Sequence, residues 1–422
     1  MNNWKRHIPE GSRDILFKDC SNKIDIINLL RKLYVSSGFL EVISPTLEFY
    51  DVFQGDDISI EQEKMYKLFD NEGRILVLRP DMTMPIARIV ATKLKDSLYP
   101  MRLCYSGNIF RKNENWEGKV SETTQCGIEV IGCESQKADA EVIITAIQSL
   151  IAIGVRKFQL EIGQAEFFKG LIEDINLEEE EIEKLRRLVE NKNFGALRVF
   201  IEEKEEILGR KNLEALKQLP ELFGGIEILG KARMLTQNKR AQDAIDTIEK
   251  IYEKIESVGL GAHISIDLGM VQHVDYYNGI TFKGYSNEIG TTIISGGRYD
   301  NLIAKFGTAI PAVGFAIDVD NILSVLDKQS SNNKKIREKF IIHYENALIG
   351  DSCKLAARIR DKDFITELSL FNEKEKTFNY GEQKDIDKMI CILQDEKLQI
   401  IDIKSKKSLN LNVEEFFKRL EE

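Results

Sequence analysis

In the first part of the chain, apolar residues recur at helical spacing in some segments and alternate with polar residues in others. Residues 21–37 carry apolar side chains three and four positions apart, which predicts an amphipathic helix that ends at Gly38. The next segment, FLEVISPTLEF, alternates as a strand, and Pro45 breaks it or places it at a sheet edge. A second helix is predicted over 136–153. Short apolar or alternating runs predict further strands at 74–80, 101–111, 125–132 and 158–163.

Between about 164 and 260 the pattern changes to charge-rich helical segments. Runs such as EEEEIEKLRRLVE are typical of solvated helices, and the whole stretch is interpreted as a helical insertion. The acidic cluster 178–181 is expected to form a solvated helix face rather than a binding surface. Strands return afterwards, followed by a helix from about residue 318. These strands are predicted at 264–270, 279–285, 291–297 and 312–317.

The polar segment 327–335, DKQSSNNKK, is typical of a linker. Beyond it, FIIHYE, FITELSLF and LQIIDIK predict strands, whereas CKLAARIRD, EQKDIDKMICIL and NVEEFFKRLEE predict helices. Strands and helices that alternate over so short a segment predict a small domain with helices packed on a sheet. We therefore expect a large domain over 1–326 and a small α/β domain over 336–422.

Composition places the chain among globular proteins. Its 422 residues, of which 43% are apolar and 30% are charged, suffice for several domains. The net charge of −10 excludes a global attraction to nucleic acid or to an anionic membrane. The N-terminus lacks the apolar core of a signal peptide. No apolar run approaches the roughly 18 residues of a membrane span, so we expect a cytoplasmic protein.

Cysteine and histidine positions predict no metal centre. The six cysteines are scattered without a CxxC pair, which favours buried, reduced thiols. The four histidines lie far apart and form no HxxxH pattern. We therefore expect neither a structural zinc ion nor another bound metal.

Several short motifs follow one another along the large domain. They are PEGSRDIL (9–16), GFLEVISPTLE (38–48), LRPDMT (78–83), GNIFR (107–111), QCGIEVIG (125–132), VDYYNGITF (274–282), GGRYDNL (296–302) and PAVGFAI (311–317). Each motif alone is weakly specific, but in this order and spacing they resemble those of class II histidyl-tRNA synthetases. The resemblance implies an α+β fold, in which helices flank an antiparallel sheet core. It also implies that the insertion at about 164–260 belongs to the core domain and that the C-terminal domain is anticodon-binding-like.

The same resemblance implies a pocket for free histidine. Such a pocket needs acceptors for the α-ammonium group, partners for both imidazole nitrogens, and apolar or aromatic walls. Gln125 and Glu129 lie four positions apart on a predicted strand, which places both side chains on one face. We expect Glu129 to pair with an imidazole N–H and Gln125 to contact the ammonium. The residues at pocket positions are Asp81, Thr83, Arg111, Gln125, Glu129, Tyr276, Tyr277 and Tyr299.

Position 81 departs from the family, because Asp81 stands where the synthetases have a glutamate and is one methylene shorter. Outside these motifs, two acids, a glutamine and several tyrosines would be equally well explained as ordinary hydrogen-bonded core residues. Their places inside the motifs favour a ligand pocket.

Amino-acid activation also requires cations aimed at the ATP phosphates and a stacking surface for adenine. Arg111 keeps the first arginine that the resemblance assigns to this task. Other family arginines fall on Lys119, Ser121, Gln272 and Asn321, the family glutamate falls on Asn113, and the adenine-stacking phenylalanine falls on Thr123. Losing one donor to a developing charge costs about 10²–10³ in rate. We therefore expect no adenylating activity and no catalytic residue.

A histidine pocket without activation residues is similar to the paralogous family of ATP phosphoribosyltransferase regulatory subunits. That resemblance implies a non-catalytic subunit, needed for the first step of histidine biosynthesis and for feedback regulation by L-histidine. The implied partner is the short-form catalytic subunit, in a hetero-octamer built around a homodimer core. No cofactor, membrane or tRNA is implied. Most members of that family lack a C-terminal domain of the kind predicted here.

Two alternatives stay open on the sequence alone. A divergent histidyl-tRNA synthetase would activate histidine and charge tRNA, whereas a simple histidine sensor would affect no phosphoribosyltransferase. Residues 334–422 carry 18 Lys and Arg against 18 Asp and Glu, although a tRNA-binding surface should be enriched in basic residues. This balance, together with Ser121, Gln272 and Asn321, favours the regulatory subunit.

Overall fold

The computed structural model of this chain describes residues 4–55, 60–112, 120–173, 175, 177–204, 213–271, 276–329, 338–393 and 397–421. The chain divides into two units, Met1–Ser330 and Ser331–Glu422. Among the residues just named, no helix is long and apolar enough to cross a bilayer.

Two sheets are built from the strands of the first unit. The strands are β1 (Leu40–Glu41), β2 (Leu47–Phe49), β3 (Lys67–Phe69), β4 (Ile75–Leu78), β5 (Met101–Phe110), β6 (Glu122–Ile131), β7 (Phe158–Gln164), β8 (Phe223–Gly224), β9 (Ile264–Asp267), β10 (Ile280–Ser286), β11 (Ile289–Arg298) and β12 (Ala312–Asp318). A nine-stranded sheet has the order β1-β5-β6-β12-β11-β10-β7-β9-β8, and a three-stranded sheet has the order β2-β4-β3. Strand pairs in the large sheet are antiparallel except β1 with β5 and β7 with β9.

The helices of the first unit are α1 (Phe17–Ser36), α2 (Thr83–Lys93), α3 (Gln136–Ala152), α4 (Ala165–Ile172), α5 (Glu179–Glu190), α6 (Phe194–Glu203), α7 (Ile228–Leu235), α8 (Lys239–Ser257) and α9 (Val319–Lys328). The Ser135 side chain begins α3 by accepting a hydrogen bond from the backbone N–H of Lys137. Apolar residues at helical spacing then place α3 in the main core, against β6, β11 and β12.

Alternation along β6 separates this core from the other face of the sheet. Cys126, Ile128 and Val130 belong to the core that includes the apolar side chains of α3. Gln125 and Glu129 therefore point to the opposite face, because successive side chains of a strand alternate. There a second core lies under α2 and includes Met84, Leu103 and Tyr299, which gives the polar residues of that face a packed surround.

Helices occupy most of the segment between β7 and β9. The backbone N–H of Glu178 donates to Oε2 of Glu181 at 3.1 Å, which helps to begin α5. Buried side chains of α5 and α6, such as Leu185 and Phe200, extend the main core. β8 adds an antiparallel edge strand to β9, and a short helical stretch covers 213–218.

The second unit contains a five-stranded sheet with three helices in its described part. Its strands are β13 (Lys339–His343), β14 (Ile365–Leu368), β15 (Lys388–Ile392), β16 (Lys397–Asp402) and β17 (Ser408–Asn412), in the order β14-β13-β15-β16-β17. Its helices are α10 (Ile349–Arg360), α11 (Lys374–Gln383) and α12 (Val413–Glu421). β13 is parallel to both β14 and β15, and the remaining pairs are antiparallel.

The helix predicted over 382–393 is wrong. α11 ends at Gln383, and β15 follows as a central strand between β13 and β16. Met389, Ile390 and Cys391 are all buried, because both faces of this strand are covered. A continuous apolar run of this kind cannot be told from a buried helix by its period.

Candidate functional site

A cavity of about 260 Å³ lies over the nine-stranded sheet of the first unit. All the side chains that the sequence places in a histidine pocket line it. They are Asp81, Thr83, Arg111, Gln125, Glu129, Tyr276, Tyr277 and Tyr299. The fold thus brings together residues from segments that are more than two hundred positions apart in the sequence.

Glu129 is the buried acid of this cavity, with 1% of the residue exposed. Its carboxylate accepts hydrogen bonds from the Tyr299 hydroxyl and, at 3.3 Å, from Oγ1 of Thr83. Burial raises the pKa of Glu129 to about 8, although the bonds from Tyr299 and Thr83 lower it. Near neutral pH this carboxyl can therefore hold a proton for a ligand acceptor or release it for a ligand donor.

The room for Glu129 depends on a glycine in the neighbouring strand. Gly314 on β12 pairs directly with Glu129 on β6. A Cβ atom at position 314 would lie 1.6 Å from Oε2 of Glu129 and 2.4 Å from the carbonyl oxygen of Ile128. Only glycine allows the carboxylate to lie flat across β12 in this position.

Asp81 and Arg111 form the charged part of the cavity wall next to α2. Oδ1 of Asp81 accepts a hydrogen bond from the backbone N–H of Met84 at 2.9 Å, in the first turn of the helix. Burial raises the pKa of the Asp81 carboxyl, which the nearby charge of Arg111 counteracts. Nε of Arg111 donates to the carbonyl of Pro80 at 2.7 Å, and this fixes an otherwise exposed side chain at the cavity.

Three tyrosines supply an aromatic wall. The ring centroid of Tyr276 lies 4.7 Å from that of Tyr277 and 5.8 Å from that of Tyr299. Burial raises the pKa of all three hydroxyls, so they remain protonated donors at neutral pH. A Cβ at Gly297 would lie 2.8 Å from the ring of Tyr277, so this glycine also makes space for the wall.

Gln125 lies four residues from Glu129 along β6 and pairs with Asp318 on β12. Oδ1 of Asp318 accepts a hydrogen bond from the backbone N–H of Asn321 at 2.9 Å and thereby caps α9. Burial raises the pKa of Asp318 to about 6. Gln125 thus contributes a neutral amide to the cavity, next to the Asp318 carboxyl that caps α9.

Of the six positions at which the resemblance implies a lost synthetase residue, three can be placed in the structure. Asn113, Lys119 and Gln272 lie outside the described residues. Ser121, Thr123 and Asn321 are described, and none of these three lines the cavity. Nδ2 of Asn321 donates to the carbonyl of Thr292 at 2.9 Å, and Thr123 pairs with Ile109 in the sheet.

Ser121 is packed against the turn that begins with PEGS. Its backbone N–H donates to the carbonyl of Gly11 at 2.6 Å. Oγ of Ser121 lies only 2.2 Å from the place that a Cβ on Gly11 would take. The turn is therefore in tight contact with the chain at position 121.

Asp320 holds this turn in place. Its carboxylate accepts hydrogen bonds from Arg13 at 2.8 Å, from Lys23 at 2.9 Å and from the backbone N–H of Thr124 at 2.8 Å. These contacts join the N-terminal turn, α1, β6 and α9 at one buried carboxylate.

Sequence reasoning missed the cavity residues that come from the other central strands. They are Thr281, Lys283, Thr292, Ser295, Gly314 and Ala316. The alternation of polar residues along β10 was a visible signal, since Thr281 and Lys283 are two positions apart. Their convergence on one cavity with Glu129 follows only from strand order and register, which one sequence does not reveal.

Within the described residues, no group of three or more His, Cys, Asp or Glu side chains could hold a metal ion. The six cysteines form no disulfide. The groups that line the cavity are hydrogen-bond donors and acceptors, acids, two cations and aromatic walls. This set can bind and orient a small polar molecule that carries both positive and negative groups.

Comparison with known proteins first defines the class. A sequence profile of the histidyl-tRNA synthetase family matches residues 11–322. The chain is also similar to the crystal structure of an ATP phosphoribosyltransferase regulatory subunit/histidyl-tRNA synthetase from Bacillus halodurans, with a TM-score of 0.81 and 32% identity, over 92% of this chain and 98% of that one. The fold is therefore that of a class II histidyl-tRNA synthetase-like protein, and the predicted α+β class is confirmed.

Two relatives narrow the class to one family. An ATP phosphoribosyltransferase regulatory subunit from Clostridium kluyveri is 51% identical over 386 residues, 92% of this chain and 99% of that protein. One from Clostridium botulinum strain Langeland is 48% identical over 415 residues, 98% of each protein. The chain belongs to the family of ATP phosphoribosyltransferase regulatory subunits. The predicted regulatory, non-catalytic role in histidine biosynthesis is confirmed, and the match over 98% of both chains shows that this relative shares the C-terminal unit.

Proposed function

We propose that the cavity binds free L-histidine and that this protein is the histidine-sensing partner of the short-form ATP phosphoribosyltransferase catalytic subunit. The observation that supports this most strongly is Glu129, a buried acid that is hydrogen-bonded to Tyr299 and Thr83 inside the cavity. The cavity volume of about 260 Å³ lies just below the roughly 300–1,000 Å³ of pockets for drug-sized ligands. An amino acid is a ligand of suitable size.

The groups around the cavity complement those of histidine. A neutral imidazole has one donor and one acceptor nitrogen, and the charged ring has two donors. Glu129 offers a carboxyl to the ring, and the tyrosines offer both aromatic contact and hydroxyl groups. Asp81, Thr83 and Gln125 offer oxygen acceptors to the α-ammonium group, with Arg111 at the edge of the same cavity.

Histidine bound in this way would not be activated. The described positions Ser121, Thr123 and Asn321 carry no cation or aromatic ring and lie outside the cavity. The protein would therefore supply too few groups to neutralise a triphosphate or to stack adenine. No histidine-dependent exchange of pyrophosphate into ATP is expected. Such exchange by the purified protein would instead support a divergent histidyl-tRNA synthetase.

The reaction belongs to the partner in this proposal. The catalytic subunit would condense ATP with phosphoribosyl pyrophosphate, and this protein would support that activity and confer feedback inhibition. Histidine would favour one quaternary arrangement over another through differential contacts, with a coupling free energy of about 1–3 kcal/mol. We place the complex in the cytoplasm and assign it no cofactor, membrane or tRNA.

An apolar surface on the first unit supports a homodimer as the core of a hetero-octamer. Its members are exposed large hydrophobic side chains of the segment from the end of α1 to β2, together with one residue of β3. They are Val35, Leu40, Ile43, Leu47, Phe49 and Leu68. Leu68 and Phe49 lie on one face of the three-stranded sheet, because both pair with Leu76. Exposed apolar residues that cluster in this way mark protein interaction surfaces. A symmetric pair would bury the same surface of both copies.

We also propose that residues 1–326 form the synthetase-like domain, 327–335 a linker and 336–422 an anticodon-binding-like domain. The division of contacts between Ser330 and Ser331 supports this proposal. The mixed sheet of the second unit, with helices packed on it, is the expected architecture for the small domain.

Calorimetric titration of the purified full-length protein with L-histidine tests the pocket. Glu129→Gln removes a carboxyl that can release its proton to accept a charge-assisted hydrogen bond from the imidazole ring, and it should weaken binding about 10–100-fold. The matched control is Glu141→Gln, because Glu141 pairs with Arg102 at 3.0 Å away from the cavity. Equal affinities for wild type and Glu129→Gln would show that histidine binds elsewhere.

Reconstitution tests the partner. The protein and the short-form catalytic subunit of the same organism are mixed, and complex formation, transferase activity and its inhibition by histidine are measured. We expect a stable complex in which activity depends on this protein and is inhibited by histidine. The absence of a complex, or of any effect on activity, would contradict the proposed role.

A further inference from the structure

A row of paired residues forms part of the cavity floor and ends in a lysine. Ala316 on β12 pairs with Ser295 on β11, and Ser295 pairs with Lys283 on β10. Residues that pair across strands project to the same face of a sheet. All three line the cavity. The small side chains of Ala316 and Ser295 leave a groove that leads from the β6 side of the cavity to Lys283.

Lys283 is held in this wall without a direct counterion. Within the part of the chain that the structure describes, its ammonium group makes no hydrogen bond or ion pair, and only longer-range charges act on it. Burial lowers the pKa of Lys283, whereas the acids near it, Glu190, Glu161 and Asp267, raise the pKa. A cation that is partly removed from water and not directly paired is costly, and an anionic ligand would remove this cost.

Two of the three nearby acids already have partners. Asp267 forms an ion pair with Lys192 at 3.0 Å, and Glu190 forms one with Arg186 at 2.7 Å. The third acid, Glu161, pairs with Lys283 in the strand register but makes no close contact with it among the described residues. Lys283 therefore keeps its hydrogen-bonding capacity for the cavity that it lines.

The distribution of charge favours a bipolar ligand. Asp81 and Glu129 lie on the α2 and β6 side of the cavity, where Arg111 is balanced by the nearby charge of Asp81. Lys283 lies on β10, three strands away from β6 in the sheet order. With strands about 4.8 Å apart, the backbones of β6 and β10 are separated by about 14 Å. A ligand that extends from Glu129 to Lys283 can contact an acid at one end and a cation at the other.

We propose that Lys283 binds the α-carboxylate of the histidine whose imidazole ring contacts Glu129. The inference rests on the proposed function of the cavity and deepens it, because it names the group that distinguishes an amino acid from an amine. Lys283 would also supply the carboxylate with a cation. The resemblance implies an arginine at position 272, where this chain has Gln272.

The test compares three ligands that differ in this group: L-histidine, its methyl ester and histamine. Wild-type protein should bind L-histidine about 10–100-fold more tightly than the other two, the range expected for one charged hydrogen bond. Lys283→Met should lose this preference by binding L-histidine more weakly while it binds the methyl ester and histamine as the wild type does. Lys283→Arg should keep most of the preference. Lys192→Met is the matched control, since it removes a neighbouring lysine that is held by Asp267, and it should leave the preference unchanged.

The outcomes separate this inference from the function on which it rests. If Lys283→Met keeps the wild-type preference, or if its affinity for all three ligands falls by the same factor, the assignment of the carboxylate to Lys283 is overturned. The proposal that the cavity binds histidine is unaffected by that result. If wild-type protein binds no histidine, both proposals fail. Melting curves establish that each variant is folded. Lys283→Gln replaces Lys283→Met if the apolar side chain prevents folding.

Discussion

At the scale of single residues, the cavity depends on one position that has no side chain. Gly314 leaves the space that the Glu129 carboxylate occupies, because an added Cβ would overlap with Oε2 at 1.6 Å. Gly314→Ala should therefore displace Glu129, abolish histidine binding and reduce the free energy of unfolding by about 1–3 kcal/mol, the cost of overpacking. Chemical denaturation and calorimetric titration measure the two effects.

A matched glycine provides the control. Gly290 on β11 would place an added Cβ in open space, with nothing within 4 Å. Gly290→Ala should change the free energy of unfolding by about 0.5 kcal/mol or less and leave histidine binding unchanged. Equal effects of the two alanine substitutions would contradict the role assigned to position 314.

The buried Glu129 should also make stability depend on pH. Its pKa rises from 4.5 to about 8 on folding because of burial. Between these values the folded protein holds a proton that the unfolded chain has released, so its contribution to stability falls as the pH rises. The free energy of unfolding should therefore decline relative to Glu129→Gln by up to about 1.4 kcal/mol per pH unit. Denaturation of both proteins from pH 5 to 8 checks this, and a constant difference would contradict it.

Some of these residue roles could be predicted from the sequence, and others could not. The spacing of Gln125 and Glu129 fixes them on one face of a strand, and the motif segments identify Asp81, Thr83 and the tyrosines as neighbours of interest. Gly314 and Lys283 acquire their roles only through pairing with Glu129 and Ser295. Such long-range register is set by the complete sheet rather than by local pattern.

At the scale of elements, Asp320 ties four segments together. Its buried carboxylate binds Arg13 of the N-terminal turn, Lys23 of α1 and the backbone of Thr124 on β6. Burial raises the pKa of Asp320, but the hydrogen bonds from Lys23, Thr124 and Arg13 outweigh this effect and lower it below its ordinary value. The charged form is thus the one that holds these elements in place.

Asp320→Ala should separate these elements and reduce the free energy of unfolding by about 3 kcal/mol, since it leaves the largely buried Lys23 ammonium and the buried Thr124 N–H without a partner. Protection of α1 amides against hydrogen exchange should fall as well. As a control, Glu72→Gln removes a surface pair with Arg74, whose side chain is 54% exposed, and should cost at most about 0.5 kcal/mol. A loss at Asp320 no larger than this would contradict the role of the carboxylate.

The local sequence pattern predicted helices and strands correctly where one face of the element is buried. The helix over 136–153 and the strand over 101–111 match α3 and β5 within one or two residues. The helix predicted over 382–393 failed because the apolar run of β15 is covered on both faces. The separation of β2 from β1 into another sheet was also not predictable, because it depends on pairing with β4.

At the scale of the whole molecule, the apolar surface defined above should form the homodimer contact. Ile43 is 85% exposed in the single chain. Ile43→Lys would place two charges in the symmetric interface, and it should shift the protein from dimer to monomer with at least about a 100-fold weaker association. Sedimentation velocity across a concentration series measures this shift.

An exposed apolar residue outside that surface serves as the control. Met234 on α7 is 76% exposed, and Met234→Lys should leave the sedimentation behaviour unchanged. If the wild-type protein is monomeric, or if both lysine variants dissociate alike, the proposed contact is wrong.

The order of motifs sufficed to predict the class of fold, because six of the eight motifs contain part of a strand of the nine-stranded sheet. The regulatory role followed from replaced charges rather than from any added feature. The partner-facing surface leaves no comparable pattern, since interface cores are composed much like the rest of a protein surface.

The contact between Ser121 and Gly11 limits the side chains that position 121 can carry. A longer side chain at position 121 would have to displace a turn whose carbonyl is bound at 2.6 Å and whose Arg13 is anchored on Asp320. Introduction of an arginine at position 121 should therefore destabilise this turn. Ser121→Arg alone should lower the melting temperature and yield no pyrophosphate exchange. The close packing of this turn therefore disfavours a large cation at position 121, which is one of the cations that activation of an amino acid would require.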